Sequence, residues 1–430
     1  MLSLRYIIRL IQAFFKKFKA VIVLGIAFGV LVFFAVFFMF PSISATEEKI
    51  GMIGRFTPEA LPEEITNKIS SGLTTVDANG NVSPSLAQSW ESTDGGKTWI
   101  FRLFENKKWQ DGKFIKSSDV NYEFNDASLE IIDDYTIKFN LDSQFSAFPI
   151  IVSKPIFKKG LLGTGDWKVK KITLIGGYVQ RLTIINDKKD KITYKFYPTD
   201  ERLKLAFKLG EVDILNKIQE KIEFEKWKTV DILANETSNS FVAIFFNTEN
   251  EKFAEKTLRQ AFNYAINKNN FGSIRALGPI SSNSWAYNSQ VKQYNFDAEK
   301  TKEVKDVVIK LATLPNLLKV AESVANDWRN SGAVVEVEVV SGMPENFDAF
   351  LATVDTPKDP DQYSLWHSTQ TVTNISRYKN PRIDKLLEDG RTELDQELRK
   401  KYYLDFQRFL VEDSPAIFLY YPTSYTISRK

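Results

Sequence analysis

Residues 352–368 read ATVDTPKDPDQYSLWHS and gather three aspartates, two prolines, a tyrosine, a tryptophan and the only histidine of the chain. Carboxylates beside a histidine serve general acid–base and metal chemistry. The same residue types also line pockets that hold a cation against aromatic faces. The rest of the sequence weighs against catalysis. It contains no G-x-S-x-G, no H-E-x-x-H and no G-x-x-x-x-G-K-[ST], so neither a nucleophile elbow, a two-histidine zinc helix nor a phosphate-cradling loop is indicated. Gly163-Thr164-Gly165 is too short for a dinucleotide fingerprint and reads as a tight turn before a strand. Carboxylate pairs such as Asp133-Asp134 read as solvated turn residues, and a glycosidase-type pair is unsupported. With one histidine and no cysteine, a multi-histidine cage, a thiolate metal site, a disulfide and a lipid on cysteine are all excluded. No metal and no cofactor are expected. The missing cysteines do not name a compartment.

Charge is unevenly placed along the 430 residues. Arg5, Arg9, Lys16, Lys17 and Lys19 precede position 20, and no acid occurs before Glu47. Without those five the chain carries 52 Lys and Arg against 54 Asp and Glu. The basicity belongs to the tail, and a nucleic-acid-binding surface is not indicated. The tail leads into AVIVLGIAFGVLVFFAVFFMF, residues 20–40, without a charged side chain. Twenty-one residues at about 1.5 Å each match a hydrocarbon core of roughly 30 Å. Ser42-Ile43-Ser44-Ala45 offers small residues for signal cleavage, but signal cores usually run about 7–15 residues, which favours a retained anchor. The positive-inside rule then places residues 1–19 in the cytoplasm and everything after residue 40 outside. Residues 2–19, with apolar and basic side chains interleaved, suit a helix on the inner membrane surface.

The elements that must position residues 352–368 read as mixed α/β. Residues 97–104 and 135–141 alternate as strands, with turn chemistry at Asn79-Gly80-Asn81 and Asp94-Gly95-Gly96. Leu258, Ala261, Phe262, Ala265 and Ile266 fall at helical spacing, as do Leu317, Leu318, Ala321, Val324, Ala325 and Trp328. The apolar run at 307–311, that second helix and the alternating Val335, Val337 and Val339 form a βαβ unit. Leu398, Tyr402, Phe406, Phe409 and Leu410 stripe a long helix, and residues 416–421 read as a last strand.

Several blocks carry a family resemblance. Pro84-Ser85-Leu86-Ala87-Gln88-Ser89-Trp90-Glu91, Gly96-Lys97-Thr98-Trp99-Ile100-Phe101-Arg102-Leu103, Lys108-Trp109-Gln110-Asp111-Gly112-Lys113 and Ser118-Asp119-Val120 resemble the entry signature of family 5 extracellular solute-binding proteins. The resemblance continues through Gly163-Thr164-Gly165-Asp166-Trp167, where the family usually ends in proline and tyrosine, and Gly210-Glu211-Val212-Asp213-Ile214. It recurs at Phe246-Asn247-Thr248, at 258–266 and at Trp285-Ala286-Tyr287, and closes with Asp359-Pro360-Asp361, 378–387 and Glu412-Asp413-Ser414-Pro415. The blocks also make sense physically. Asp111-Gly112 turns the chain after an aromatic strand end, Ser118-Asp119 can cap the segment after it, and Arg259 and Gln260 on the polar side of their helix read as structural.

The resemblance implies two α/β lobes joined by a hinge, preceded by the one apolar helix. The expected division is a basic tail at 1–19, an anchor at 20–40, a linker at 41–49, a first lobe at 50–237 completed by 416–430, and a second lobe at 238–415. Two crossings between lobes imply closure around a small molecule. Against the family pattern the first lobe looks cut down between a helix ending near Phe124 and the strand at Ala127, and the second abbreviated around 307–333. The implied activity is binding without turnover: short peptides, captured by a monomer and delivered to the permease of an ABC importer. Other cargo of the family (metal chelates, haem, sugars, opines) and a degenerate receptor module are the alternatives. In peptide-binding members an aspartate shortly before Asp-Pro-Asp pairs with the ligand amine. Asp355 takes that place, one residue further off than expected, with Asp359 as the alternative if Lys358 shifts the register. Trp285, Tyr287 and Trp366 are candidate wall aromatics, and His367 reads as structural.

Overall fold

A continuous apolar strand organises the larger half of the molecule. Ser240–Phe246 carries buried side chains on both of its faces, the pattern of a strand covered on two sides. Alternate residues part accordingly: Phe241, Ala243 and Phe245 enter one core, Val242, Ile244 and Phe246 the other. In this computed structural model, which describes residues 4–39, 46–236, 239–272 and 274–430, the strand lies within a six-stranded sheet. Its order is Ile274–Arg275, Ala416–Tyr421, Ser240–Phe246, Ala349–Asp355, Val308–Thr313, Val334–Val339. Val308–Thr313, the helix Leu318–Asn330 and Val334–Val339 make the expected βαβ unit, with the two strands parallel. The helices Pro381–Thr392 and Gln396–Asp413 pack on the other side, where Leu387, Tyr403, Phe406 and Leu410 reach the core.

The first lobe holds a seven-stranded sheet in the order Val230–Glu236, Thr423–Arg429, Ile214–Ile218, Glu47–Ile53, Lys191–Tyr197, Tyr178–Ile185, Lys168–Ile175. Glu47–Ile53 is parallel to both of its neighbours. A separate four-stranded antiparallel sheet, Ala87–Glu91, Thr98–Leu103, Thr136–Leu141 and Ala127–Asp133, closes over Trp99, Phe101, Trp109, Phe139 and Phe148. The Trp109-Gln110 block stitches the two parts together. The Trp109 indole donates to Asp119 at 3.0 Å. The Gln110 amide donates to the carbonyls of Ile69, Gly165 and Trp167 at 3.0, 2.9 and 2.8 Å.

Three sequence expectations are corrected here. Residues 416–421 do not return to the first lobe: they pair with Ser240–Phe246 in the second sheet, and the return is made by a further strand, Thr423–Arg429. The first strand begins at Glu47, inside the stretch read as linker. No helix ends near Phe124; the segment holds one short turn, Ser117–Asp119, and Asp119 accepts from the Lys116 N–H within that turn rather than capping a later helix. The structural reading of Arg259 holds: it is buried and donates to the carbonyls of Phe253, Ala254, Asp413 and Ser414, closing the end of the Gln396–Asp413 helix.

The N-terminal helix Leu4–Met39 spans 36 residues and breaks once, at Phe18, with φ −107° and ψ 16°. The break falls where the basic tail meets the apolar run. Lys16–Ala35 has mean hydropathy 2.5 and none of it is buried against the protein. The proposed cleavage site at 42–45, residue 40 and the lobe boundary at 237–238 lie outside the described residues.

Gly163 sits where a Cβ would fall inside the Ile69 carbonyl. Gly210 has φ +76° but open space around it. Overpacking against fixed backbone costs about 1–3 kcal/mol and left-handed backbone alone about 1 kcal/mol. Gly163→Ala is therefore expected to lower unfolding stability by about 2–3 kcal/mol and Gly210→Ala by about 1 kcal/mol, as read from urea titrations of tryptophan fluorescence.

Candidate functional site

The loop that follows Ala349–Asp355 carries Pro357 and Pro360, which supply no N–H for a continued sheet ladder. Its aspartates replace those bonds locally. An Asp359 oxygen accepts from the Asp361 N–H at 2.9 Å, and an Asp361 oxygen accepts from the Tyr363 N–H at 3.0 Å, which starts the one-turn helix Tyr363–Trp366. The loop thus forms one wall of a cavity of about 1360 Å³ between the lobes. Thr356, Lys358, Asp359, Asp361 and Arg391 face it from the second lobe, and Tyr122, Phe124, Ile150, Phe157 and Leu174 from the first. The lobes touch around it. Lys358 pairs with Glu63, the Trp285 N–H donates to the Asn79 carbonyl at 3.1 Å, and the Ser146 N–H donates to the Arg391 carbonyl at 2.8 Å.

The predicted site residues scatter. Asp359 lines the cavity, but both of its oxygens are taken by Arg399, at 2.7 and 3.1 Å, and both side chains are buried. Burial opposes the charge on Arg399, and Asp359 outweighs it, so the guanidinium's pKa is raised on balance. Asp355 ends its strand opposite Ser240, exposed, and the cavity wall begins one residue later at Thr356. It makes no side-chain hydrogen bond or ion pair among the described residues. Trp285 stands edge-on to Tyr403, 6.2 Å between ring centres, with the Arg399 guanidinium 5.5 Å from its own ring centre. It lines a second recess of about 380 Å³ beside Gly80 and Trp90. Tyr287 is half-buried, away from the main cavity, and burial raises its pKa.

Trp366 departs from the expectation: 1% exposed, it packs on Phe245 and Phe418 at 5.9 and 6.2 Å in the core of the second lobe, out of reach of the cleft. His367 is buried against Tyr363, ring centres 4.1 Å apart, with Nδ1 2.8 Å from the Thr369 hydroxyl and Nε2 3.4 Å from a Glu388 oxygen. Nothing in the sequence alone singles out Tyr122 or Arg391. Tyr122 lies in a segment without helical or strand periodicity. Arg391 ends an ordinary amphipathic helix, and a basic residue in a last turn is normally explained by the helix dipole.

The geometry is that of a cleft between two lobes. Residues 81–374 match the family described as bacterial extracellular solute-binding proteins, family 5 Middle. The oligopeptide-binding protein AppA of Bacillus subtilis (strain 168) is 26% identical over 455 aligned positions, covering 84% of this chain and 82% of the relative. The solved structure of AppA from Bacillus subtilis in complex with a nonapeptide matches with TM-score 0.67 at 22% identity, over 90% of this chain and 95% of that one. NikZ from Campylobacter jejuni in complex with Ni(L-His) matches with TM-score 0.72 at 23% identity, over 89% and 94%. These likenesses confirm the two-lobed binding-protein fold, and the family is one of binding proteins rather than enzymes. The chain belongs to the bacterial extracellular solute-binding proteins of family 5.

Proposed function

We propose that the chain is a membrane-anchored receptor that captures short peptides between its lobes and hands them to the permease of an ABC importer. The observation that carries this reading is the open cleft of about 1360 Å³ lined by both lobes, in a chain whose relatives include an oligopeptide-binding protein. Such a volume exceeds the roughly 300–1,000 Å³ of ordinary small-molecule pockets and leaves room for several residues of extended peptide. The cleft is complete within one chain, so the receptor acts as a monomer. Mass spectrometry of solute released from the purified full-length protein is expected to find short peptides. Recovery of a sugar or a metal chelate in their place would overturn the peptide assignment.

The anchor reading rests on the apolar helix segment Lys16–Ala35, none of which is buried against the protein, with Arg5 and Arg9 before it in the sequence. The N-terminus then lies in the cytoplasm and both lobes outside. Protease added to intact cells is expected to remove the lobes while a tag at Met1 stays protected. A mature chain starting near Ala45 on N-terminal sequencing would replace the anchor with a cleaved signal.

Asp355 is the proposed partner of the peptide amine. Its exposed carboxylate has no other partner among the described residues, whereas Asp359 is held by Arg399. Removing one member of a desolvated charge pair costs about 2–5 kcal/mol, roughly 30-fold or more in affinity. Asp355→Asn is expected to weaken peptide binding by that order and leave the melting temperature unchanged. Asp359→Asn is expected instead to lower stability by about 3–5 kcal/mol, since it strands a buried guanidinium. Calorimetry and thermal unfolding on both variants read the two effects separately, and equal affinity of wild type and Asp355→Asn would move the amine site elsewhere.

A further inference from the structure

Several charges around the cleft are paired within the protein, while Glu59, Glu123 and Lys154 on the same lining are exposed. Asp359 is held by Arg399, Lys358 by Glu63, and Lys158 by Asp119 at 3.2 Å. Arg391 differs. Its backbone is fixed: the Arg391 carbonyl accepts from the Ser146 N–H at 2.8 Å, and the Gly390 carbonyl accepts from Arg399 Nε at 3.0 Å. Its guanidinium carbon lies 4.4 Å from the Tyr363 ring centre and 4.9 Å from that of Phe145, one aromatic from each lobe. Its Nε is buried and makes no hydrogen bond; Asp361 stands 3.5 Å away, a loose ion pair. The terminal amino groups donate no hydrogen bond to any described residue, although the side chain lines the cavity. A guanidinium offers five N–H donors in a planar fork, and here none of them donates a hydrogen bond to a described residue. Burial raises the pKa of the Asp361 carboxyl, and the Arg391 charge beside it acts in the opposite direction.

We propose that Arg391 is the anion anchor of the cleft, taking a carboxylate of the bound solute in a bidentate pair on its terminal amino groups. The proposal rests on the peptide-capture reading and deepens it: the solute combines a carboxylate with apolar side chains, because the neighbouring wall is formed by Ile150, Ile151, Phe157, Ile172 and Leu174. Phe145 comes from the first lobe and Tyr363 from the second, so the site is complete only with the lobes together. Binding of the carboxylate and closure therefore reinforce each other.

The test uses the full-length chain in detergent and native mass spectrometry against three pools of random tri- to pentapeptides built from Ala, Leu, Ile and Phe. One pool carries free C-termini, one is C-amidated, and one is C-amidated with a single Glu added. The free-acid pool is expected to be retained about tenfold or more over the plain amidated pool, the scale of a charge-assisted hydrogen-bonded pair. Arg391→Gln is expected to bring the two pools level, and Arg391→Lys to keep part of the preference. Retention of the Glu pool like the free acids would identify a side-chain carboxylate as the anchored group, and retention of the free acids alone the chain terminus; both outcomes support the anchor. Equal retention of free-acid and plain amidated pools by the wild type would overturn the anchor while leaving peptide capture intact. Retention of none of the pools would overturn both. The wild-type comparison decides the matter even if the variants fail to fold.

Discussion

A guanidinium and a carboxylate largely withdrawn from water hold the cleft wall in place. Asp359 and Arg399 meet at 2.7 and 3.1 Å, with both side chains only 8% exposed. Removing such a pair from water costs several kcal/mol per ion, offset only where the geometry is good and the remaining donors are satisfied. Here the Arg399 Nε reaches the Gly390 carbonyl, and a terminal amino group reaches the Tyr403 hydroxyl. The pair thereby ties a proline-broken loop to two helices at once: Gln396–Asp413, which carries Arg399, and Pro381–Thr392, which carries Gly390. That second helix ends at the carbonyls of Gly390 and Arg391, both of which Ser146 of the first lobe reaches. One buried interaction thus sets the loop, the end of the neighbouring helix and a contact between the lobes.

The lobes themselves are joined by a ribbon. Val230–Glu236 and Thr423–Arg429 pair antiparallel along their length in the first sheet, and their continuations Ser240–Phe246 and Ala416–Tyr421 pair in the second. The same two lengths of chain are therefore neighbours on both sides of the hinge. A paired ribbon bends and twists more readily than it stretches, which restricts the relative motion of the lobes to rotation about a short axis. The strands lock into large sheets at either end. Opening would part the contacts at Ser146, Trp285 and Lys358 while leaving both cores intact.

The sequence is informative where one face of an element is buried and the other wet. Val335, Val337 and Val339 against Glu336 and Glu338 predict a strand because alternation has one reading. The helical stripe ending at Trp328 works for the same reason. Residues 416–421 are legible as a strand but not as a member of the second sheet, because an apolar run reports burial and not which sheet buries it. Thr423–Arg429 gives no such signal: only Ile427 on it is fully buried, and its Thr, Ser and Tyr residues resemble a polar tail. Trp366 misleads because a tryptophan beside acidic residues reads the same whether it faces a ligand or Phe245 and Phe418 across the core. Asp-Pro-Asp is visible as a motif, but the partner that holds its first carboxylate lies 40 residues away on another helix. Pairings of that separation leave no periodic trace.

The two walls of the cleft divide the work of recognition. Apolar side chains of the first lobe offer contact that depends on size and little on identity, which suits solutes of varied sequence. The second lobe supplies charge, and Asp359 and Lys358 are already paired, with Arg399 and with Glu63, before any solute arrives. A desolvated charge without a partner is costly, so a cleft that must also exist empty can leave few groups uncompensated. Those few then dominate selection, because each gains most when closure removes the water around it. The two groups proposed above to meet the solute, the exposed Asp355 and the loosely paired Arg391, are of opposite sign. On the proposed peptide reading, a zwitterionic backbone with apolar side chains would answer both signs at once.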